Sequence, residues 1–294
     1  MKITEFVTEN GISAVHLTAL PESVSVFKTF DCGQCFRFDP VSIFGDKCEF
    51  GGVAFGKYVV FAQNHERELI IYNSTIAEYE EIWRTYLALD TDYSKINNDI
   101  ISIAASEHMK GAVEYGNGIR ILRQDGWECI ISFIISQNNN IPRIKKIIAA
   151  LCAKYGEEIE FLGKKYYTFP RESALSKASV DDIFALKTGF RAKYIADACR
   201  SITSGETDLS YIKDERDFEK CVSHLCKIKG IGLKVASCAL LFGFDKTEAF
   251  PIDVHIKRTL DKYFPAGIDV SALGKTAGIA QQYLFYFEKY NQNP

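Results

Sequence analysis

The sequence predicts an α+β protein in which an N-terminal antiparallel β-sheet domain precedes a helical body. Roughly the first seventy residues contain short segments rich in Phe, Val, Ile or Tyr, separated by Gly, Asp and Asn, as is typical of strands joined by turns. After Ser74 the apolar residues instead recur at helical spacing. A Gly-Ile-Gly turn at residues 230–232 then joins two helical segments. Together these observations favour a sheet domain followed by a body of packed helices.

The predicted strands are short and each is bounded by turn residues. They cover residues 35–39, 48–54, 58–64 and 68–73. Gly56 and Lys57 suit a two-residue hairpin between the middle pair. We therefore expect consecutive strands to pair antiparallel.

The predicted helices follow from apolar residues spaced three and four apart. They cover residues 76–89, 93–107, 126–136, 141–155, 180–186, 192–203, 217–227, 235–242, 253–263 and 273–290. Segment 126–136 is apolar on most sides, so we expect it to be central. Glycines cluster between residues 105 and 120. We therefore predict a sheet domain with flanking helices at 1–112 and a helical region at 113–294, with the two helices and their turn at about 217–242.

The composition excludes several classes of protein. With 294 residues, 47% hydrophobic and 25% charged, the chain resembles an ordinary globular protein with a real core. The apolar segment 129–135 is too short to span a bilayer, and the N-terminus lacks the apolar stretch of a secretory signal. We therefore expect an intracellular protein without a membrane partner. The net charge of −3 argues against a protein that coats DNA, but not against one that grips a few phosphates.

The nine cysteines are scattered and odd in number, which favours reduced thiols. Cys32 and Cys35 form one Cys-x-x-Cys pattern, which leaves a redox pair or half of a zinc site open. A second pattern of this kind is absent from the sequence, so we predict no metal site of cysteines.

The Gly-Ile-Gly turn carries the clearest chemical signal. Gly230 and Gly232 expose backbone N–H groups at a helix N-terminus, which is a natural seat for a phosphate. Lys234 lies on the first turn of the next helix, where the dipole disfavours a second positive charge and so favours a neutral, nucleophilic amine. A lone lysine is usually a solvated surface group, but its place before an apolar helix favours a functional role. Asp253 precedes another helix, and N-capping alone would explain it.

The segment from Leu225 to Leu260, with its turn, Lys234 and the sequence Pro-Ile-Asp-Val-His at 251–255, resembles the helix–hairpin–helix DNA glycosylases with a Gly/Pro-rich loop and a distal aspartate. It is most similar to the 8-oxoguanine branch of that superfamily. The resemblance implies excision of 8-oxoguanine from duplex DNA, preferably opposite cytosine, by base flipping, attack of Lys234 on C1′ and strand cleavage by β-elimination. It further implies that Asp253 stabilises positive charge on the sugar.

The resemblance also implies a pocket for the flipped base. The Gly33 carbonyl would accept a hydrogen bond from N7–H of 8-oxoguanine, and Cys238 would line the pocket beside Lys234. Gln281 would bond the Watson–Crick edge and Phe285 would stack on the base. Without the resemblance, these residues would be a plain turn, a small buried side chain, a surface amide and a core aromatic.

The strand opposite the damage would be read by a second group of residues that the resemblance implies. Asn138 would fill the gap left by the flipped base, and Arg143 and Arg191 would read the orphaned cytosine. Phe190 would be an aromatic wedge in the base stack. His255 would lie near a DNA phosphate, although a packed histidine is the simpler interpretation.

Further implications concern the partner and cofactors. The resemblance implies a monomer that binds double-stranded DNA with oxidised guanine, requires no cofactor and holds a monovalent cation at the hairpin. The location would be the cytoplasm, at the nucleoid, if the source is prokaryotic. The chain departs from the pattern at Lys229, where the hairpin often has proline. Two alternatives stay open: a helix–hairpin–helix glycosylase for alkylated purines, and a non-catalytic DNA-binding module.

Overall fold

The computed structural model describes residues 1–265 and 267–291, apart from the side chain of Asn291. The chain folds into two compact units that are discontinuous in sequence. The first comprises residues 1–52, 59–123 and the described residues from 247 onward, and the second comprises residues 53–58 and 124–246. The division of the sequence into domains at residue 112 stays a prediction.

The antiparallel sheet predicted from the N-terminal sequence is confirmed and has six strands in the order β1-β2-β6-β5-β4-β3. The strands are β1 (Lys2–Val7), β2 (Ser13–Thr18), β3 (Phe38–Pro40), β4 (Cys48–Ala54), β5 (Lys57–Gln63) and β6 (Leu69–Tyr72). Three of the predicted strands lie where expected. The predicted strand at 35–39 is shifted and shortened to β3, and β1 and β2 were not predicted.

The helices are α1 (Val26–Asp31), α2 (Ile76–Glu78), α3 (Arg84–Tyr86), α4 (Tyr93–Ala104), α5 (Glu107–Gly116), α6 (Gly126–Ser136), α7 (Ile141–Tyr155), α8 (Glu172–Leu175), α9 (Val180–Ile183), α10 (Arg191–Thr203), α11 (Leu209–Asp214), α12 (Phe218–Leu225), α13 (Leu233–Gly243), α14 (Val254–Tyr263), α15 (Val270–Leu273) and α16 (Ala277–Asn291). A π-helical turn, Tyr79–Trp83, interrupts the helix predicted at 76–89, and a second, Phe184–Thr188, follows α9. Gly274–Thr276 forms a 3₁₀ turn before α16.

Aromatic side chains form the core beneath the sheet in the first unit. The Phe30 ring on α1 lies 4.7 Å from Phe38 and 5.2 Å from Phe61, measured between ring centroids. Ser25 caps α1 by accepting from the N–H of Lys28 at 3.2 Å. This packing holds α1, and therefore the start of the turn that carries Gly33.

The second unit is mostly helical, as the sequence predicts, and it also contains an antiparallel hairpin of β7 (Glu158–Phe161) and β8 (Lys164–Tyr167). The expectation that α6 is central is confirmed, because residues from Trp127 to Ile135 are buried except for Glu128. A Cβ built on Gly243 would lie 2.9 Å from the Gly126 Cα, so the glycines let α6 and α13 approach closely.

The cysteines are free thiols. Cys32 is fully buried, and burial raises the pKa of its thiol to about 12, so it is not a reactive thiolate. Within residues 1–265 and 267–291, His, Cys, Asp and Glu side chains form no cluster of three that could hold a metal ion. The same residues include no helix with the length and apolar character needed to cross a bilayer.

Candidate active site

A hairpin connects α12 to α13 in the second unit. The main-chain N–H of Ile231 donates to the carbonyl of Ile228 at 3.1 Å, which closes a tight turn. Gly230 within this turn has φ +86°, a conformation that favours glycine. Gly232 is the N-cap residue of α13 and provides no side chain to cap it. The first N–H groups of this eleven-residue helix therefore lack intrahelical and side-chain acceptors, which suits an anion.

Lys234 is the second residue of α13 and is half-buried. Its ammonium nitrogen lies 5.8 Å from the centroid of the Phe133 ring, within the range of a cation–π interaction. Phe133 is buried on α6 and stacks on Phe242 at 5.5 Å. Cys238 is one helical turn beyond Lys234 on the same face and is also buried. The arrangement orients one amine beside an apolar wall.

The residues predicted to read the opposite strand lie in the loop after α6, in the first turn of α7 and at the start of α10. Asn138 adopts φ +47°, and Asn140 caps α7 by accepting from the N–H of Arg143 at 3.0 Å. The Arg143 side chain is exposed. Phe190, at the start of α10, is 53% exposed although it is a large aromatic, and it lies over the guanidinium of Arg191 at 4.4 Å.

Arg191 differs from Arg143 in its surroundings. It is 2% exposed, and its guanidinium donates to the carbonyls of Gln137, Asn138 (2.9 Å) and Thr188 (3.1 Å). Burial, with the Arg143 charge as a smaller contribution, lowers the pKa of Arg191. Arg191 therefore holds the Asn138 turn in shape, a role that the sequence did not reveal.

Asp253 and His255 lie in the first unit. Asp253 caps α14, since one carboxylate oxygen accepts from the N–H of His255 at 2.9 Å and of Ile256 at 2.8 Å. This is the capping role that the sequence allowed. His255 is exposed, and its ring makes an edge contact with Phe285 at 6.5 Å between centroids. Both capping bonds go to the same oxygen of Asp253.

Gly33 lies in the turn between α1 and β3 and has φ +84°. The neighbouring Gln34 is 1% exposed. Its amide donates to the carbonyls of Thr29 and Arg120, each at 2.8 Å, and accepts from the N–H of Leu122 at 2.8 Å. The turn is thus fixed by a buried side chain, which leaves little freedom in the direction of the Gly33 peptide.

The C-terminal helix α16 reaches the same turn. The Gln282 amide donates to the carbonyl of Cys32 at 2.9 Å, and the Tyr290 hydroxyl donates to the carbonyl of Asp31 at 3.3 Å. Gln281 is buried next to Gln282, and Phe285 is half-buried one turn later. These two bonds therefore join α16, the helix that carries Gln281 and Phe285, to the residues that precede Gly33. Gln282 was not predicted from the sequence, because nothing in the local pattern distinguishes it from Gln281.

Two family models match successive parts of the chain. The first, described as 8-oxoguanine DNA glycosylase, N-terminal domain, matches residues 17–130. The second, described as HhH-GPD superfamily base excision DNA repair protein, matches residues 131–270.

Curated relatives align with parts of the chain. A Saccharomyces cerevisiae protein named N-glycosylase/DNA lyase is 40% identical over 152 residues, which are 48% of this chain and 40% of the relative. A Methanothermobacter thermautotrophicus protein named probable N-glycosylase/DNA lyase is 31% identical over 187 residues, which are 57% of this chain and 59% of the relative. The chain therefore spans about half the length of these curated relatives.

A solved structure covers nearly the whole chain. It is the Clostridium acetobutylicum 8-oxoguanine glycosylase/lyase in complex with double-stranded DNA containing cytosine opposite 8-oxoguanine. Its TM-score is 0.89 at 35% identity, and the superposition covers 99% of this chain and 98% of that chain. The apo form of the Clostridium protein gives a TM-score of 0.87 at 36% identity.

Proposed function

The chain belongs to the 8-oxoguanine DNA glycosylase family of the helix–hairpin–helix superfamily, and from this membership we propose that it excises 8-oxoguanine from duplex DNA, preferably opposite cytosine, and then cleaves the strand. The observation that carries this proposal is the environment of Lys234. Lys234 is half-buried on the first turn of a helix whose N-terminal N–H groups lack a side-chain cap. Such a helix start can bind a phosphate while the lysine attacks the adjoining sugar.

The proposed reaction begins with attack of the Lys234 amine on C1′ of the flipped nucleotide. A bond forms between the nitrogen and C1′, and the N-glycosidic bond breaks with its electron pair leaving on the base, which takes up a proton. Opening of the sugar then breaks the C1′–O4′ bond, the second amine proton passes to O4′, and an imine forms between C1′ and the lysine nitrogen. Removal of a proton from C2′ breaks the C3′–O bond by β-elimination and releases the 3′ phosphate. Hydrolysis of the imine regenerates Lys234.

Asp253 would stabilise the positive charge that develops on the sugar as the base departs. Its geometry supports this double use, because both capping bonds go to one carboxylate oxygen. We propose that the second oxygen faces the sugar. A cap that also carries charge is held rigidly, which is what electrostatic stabilisation of a transition state requires.

Four residues would recognise the flipped base. We propose that the Gly33 carbonyl accepts from N7–H of 8-oxoguanine, which guanine lacks, so that guanine is disfavoured by two opposed acceptors. Gln281 would bond the Watson–Crick edge, Phe285 would stack on the ring and Cys238 would line the pocket beside the lysine.

The opposite strand would be read by the loop after α6 and the start of α10. We propose that Asn138 fills the space of the flipped base and that Arg143 and Arg191 contact the orphaned cytosine. Phe190 would wedge into the base stack, and its exposure supports this role. Gly230 and Gly232 of the hairpin, and His255 on α14, would contact phosphates of the damaged strand.

We further propose a monovalent cation at the hairpin and no required cofactor. The helix α12 ends at Leu225, so the residues between it and α13 have carbonyl oxygens outside a helix, and oxygen ligands suit a hard cation. The protein would act as a monomer inside the cell, in the cytoplasm if the source is prokaryotic.

Borohydride trapping tests the proposal. The protein, mixed with a duplex containing 8-oxoguanine opposite cytosine and reduced, should form a covalent complex that Lys234→Gln abolishes while DNA binding remains. Lys220→Gln is the matched control, because Lys220 is exposed on α12 of the same hairpin. Excision of alkylated purines without a trapped complex would instead indicate the alkylpurine class, and binding without excision would indicate a DNA-binding module. Undiminished trapping in Lys234→Gln would eliminate the nucleophile.

A further inference from the structure

The hairpin turn has a main-chain donor that needs a partner. The bond from the Ile231 N–H to the Ile228 carbonyl, together with φ +86° at Gly230, is typical of a type II turn with Lys229 at its second position. Proline is common at this position, because its ring presets φ and the residue needs no N–H there. Lys229 lacks that constraint and brings an N–H group that points out of the turn.

Asp197, on α10, accepts that N–H. One carboxylate oxygen lies 2.8 Å from the Lys229 nitrogen, and the other pairs with Arg200 three residues later on the same helix. The Asp197 side chain is 11% exposed, whereas Arg200 is 65% exposed. A hydrogen bond to a largely buried carboxylate is charge-assisted and therefore stronger than one between neutral groups.

Tyr194 supports the other central residue of the turn. A Cβ built on Gly230 would lie 2.2 Å from the Tyr194 ring, so the ring packs directly against the glycine backbone. Tyr194 and Asp197 are three residues apart and share one face of α10. Phe190 at the start of α10 makes an edge contact with Tyr194 at 5.9 Å. One helix face thus holds both central residues of the turn.

We propose that Asp197 is a positioning residue for the DNA-binding hairpin. It fixes the peptide between Ile228 and Lys229, so that the N–H groups at the start of α13 face a single phosphate position and Lys234 is held at a constant distance from the adjoining sugar. The hydrogen bond replaces the rigidity that proline would give. Arg200 offsets the negative charge, which would otherwise repel DNA. The inference rests on the proposed function only in requiring that the hairpin binds DNA.

Asp197→Ala and Asp197→Asn separate the hydrogen bond from the charge. Asparagine keeps an acceptor oxygen for the Lys229 N–H, whereas alanine removes it, and both remove the negative charge. If charge alone mattered, both variants would bind DNA more tightly. We expect the dissociation constant for a duplex carrying an abasic-site analogue to rise about tenfold in Asp197→Ala and to stay within about twofold in Asp197→Asn.

A proline substitution should rescue the alanine variant. Lys229→Pro removes the unpaired N–H and presets φ, while Lys229→Ala controls for the lost side chain. We expect Asp197→Ala with Lys229→Pro to bind like Lys229→Ala alone, and Asp197→Ala with Lys229→Ala to stay about tenfold weaker. If Asp197 contributed only to overall stability, Lys229→Pro would not restore DNA binding to Asp197→Ala more than Lys229→Ala does. If Asp197→Ala does not fold, Lys229→Pro in the parent tests the turn on which the proposal depends. A DNA affinity equal to that of Lys229→Ala supports a type II turn with residue 229 at its second position. A much lower affinity contradicts that turn and overturns the proposal.

Two results would refute the positioning role: parental DNA affinity in Asp197→Ala, or equal weakness of the two double variants. Single-turnover excision at saturating enzyme should also slow in Asp197→Ala and recover when Lys229→Pro is added, because the turn sets the distance between Lys234 and the sugar. If the parent does not excise 8-oxoguanine, the proposed function fails, but the binding series still tests Asp197.

Discussion

The Gln282 amide donates a 2.9 Å hydrogen bond to the main-chain carbonyl of Cys32, two residues that are 250 positions apart in the chain. Both are buried. Gln282 adjoins Gln281, which we propose reads the Watson–Crick edge, and Cys32 adjoins Gly33, which we propose reads N7. One hydrogen bond therefore couples the two segments that would distinguish 8-oxoguanine from guanine.

Gln282→Met should weaken this discrimination. Methionine has a similar length but no donor, so the Cys32 carbonyl would be left buried without its partner, at a cost of about 1–3 kcal/mol in the free energy of unfolding. We expect the ratio of single-turnover excision rates for 8-oxoguanine and guanine, each opposite cytosine, to fall about tenfold, because a mobile Gly33 carbonyl repels guanine less.

Gln63→Met is the control for Gln282→Met. The Gln63 amide also bonds main-chain atoms in the first unit, accepting from the N–H of Val26 and donating to the carbonyl of Glu68. It should lower stability by a similar amount and leave the rate ratio unchanged. A parental ratio in Gln282→Met despite lost stability would show that the bond serves folding alone.

Asp253→Asn should separate capping from catalysis. The amide oxygen can still cap α14, so the free energy of unfolding should stay within about 0.5 kcal/mol of the parent, because asparagine and aspartate are comparable N-caps. The lost charge should slow base release about a hundredfold or more, since charge on the sugar would be uncompensated. Chemical denaturation and single-turnover excision measure the two effects.

Asp253→Ala should lose both functions, at a further cost of about 1 kcal/mol in stability. Asp269→Ala is the matched control for the loss of a helix cap. Asp269 caps α15 by accepting from the N–H of Ala272 at 3.1 Å, and its substitution should leave the excision rate unchanged. Base release in Asp253→Asn at the parental rate would contradict the electrostatic role.

Local patterns predicted the parts of the fold that depend on neighbours in sequence. The buried α6, the hairpin between α12 and α13, and the caps at Asn140 and Asp253 all follow from spacing and residue type. The edge strand β1 and the β7–β8 hairpin were not predicted, because such short segments become strands only through pairing with a partner that the sequence does not identify.

The supporting contacts of the candidate site were also beyond sequence reasoning. Gln282 meets Cys32, and Asp197 meets Lys229, across separations of 250 and 32 residues. A glutamine or aspartate on a helix has many polar uses, and only the tertiary fold selects one. The sequence therefore indicated the chemistry of Lys234 more readily than the groups that hold its surroundings in place.

Acid should destabilise the first unit through Glu22. Its carboxylate accepts from the N–H of Ser94 at 2.6 Å and of Tyr93 at 3.0 Å, and from Arg120 at 3.1 Å. Burial alone would raise the pKa of Glu22, but these hydrogen bonds outweigh it and the pKa lies below the ordinary 4.5. Because the folded pKa is the lower one, the stabilisation is complete above pH 4.5 and is lost as the pH falls through the folded pKa.

Urea denaturation from pH 6 to pH 3 checks this dependence. Glu22→Gln should lower the urea midpoint at pH 6 and flatten its decline below about pH 4.5. Glu9→Gln is the control, since Glu9 is exposed, and should leave the profile unchanged. An equally steep decline in Glu22→Gln and the parent would assign the acid sensitivity to other carboxylates.

Arg143 and Arg191 should respond differently to alanine substitution, although both are proposed to contact the orphaned cytosine. Arg143 is exposed, so Arg143→Ala should change the free energy of unfolding by less than about 0.5 kcal/mol while relaxing the preference for cytosine about tenfold. The Arg191 guanidinium donates hydrogen bonds to the carbonyls of Gln137, Asn138 and Thr188. Arg191→Ala would leave these groups unpaired and release the Asn138 turn. We expect a loss of about 3 kcal/mol in stability and reduced excision opposite all four bases.

Excision of 8-oxoguanine opposite each of the four bases, combined with urea denaturation, separates these two roles. Arg171→Ala is the control, because the Arg171 side chain is 75% exposed and its ion pair with Glu157 lies at the surface. It should match the parent in both measurements. If Arg143→Ala kept its full preference for cytosine while Arg191→Ala lost only that preference and no stability, cytosine reading would belong to Arg191 alone. Its bonds to the Asn138 turn would then be exchanged for bonds to the base when DNA binds.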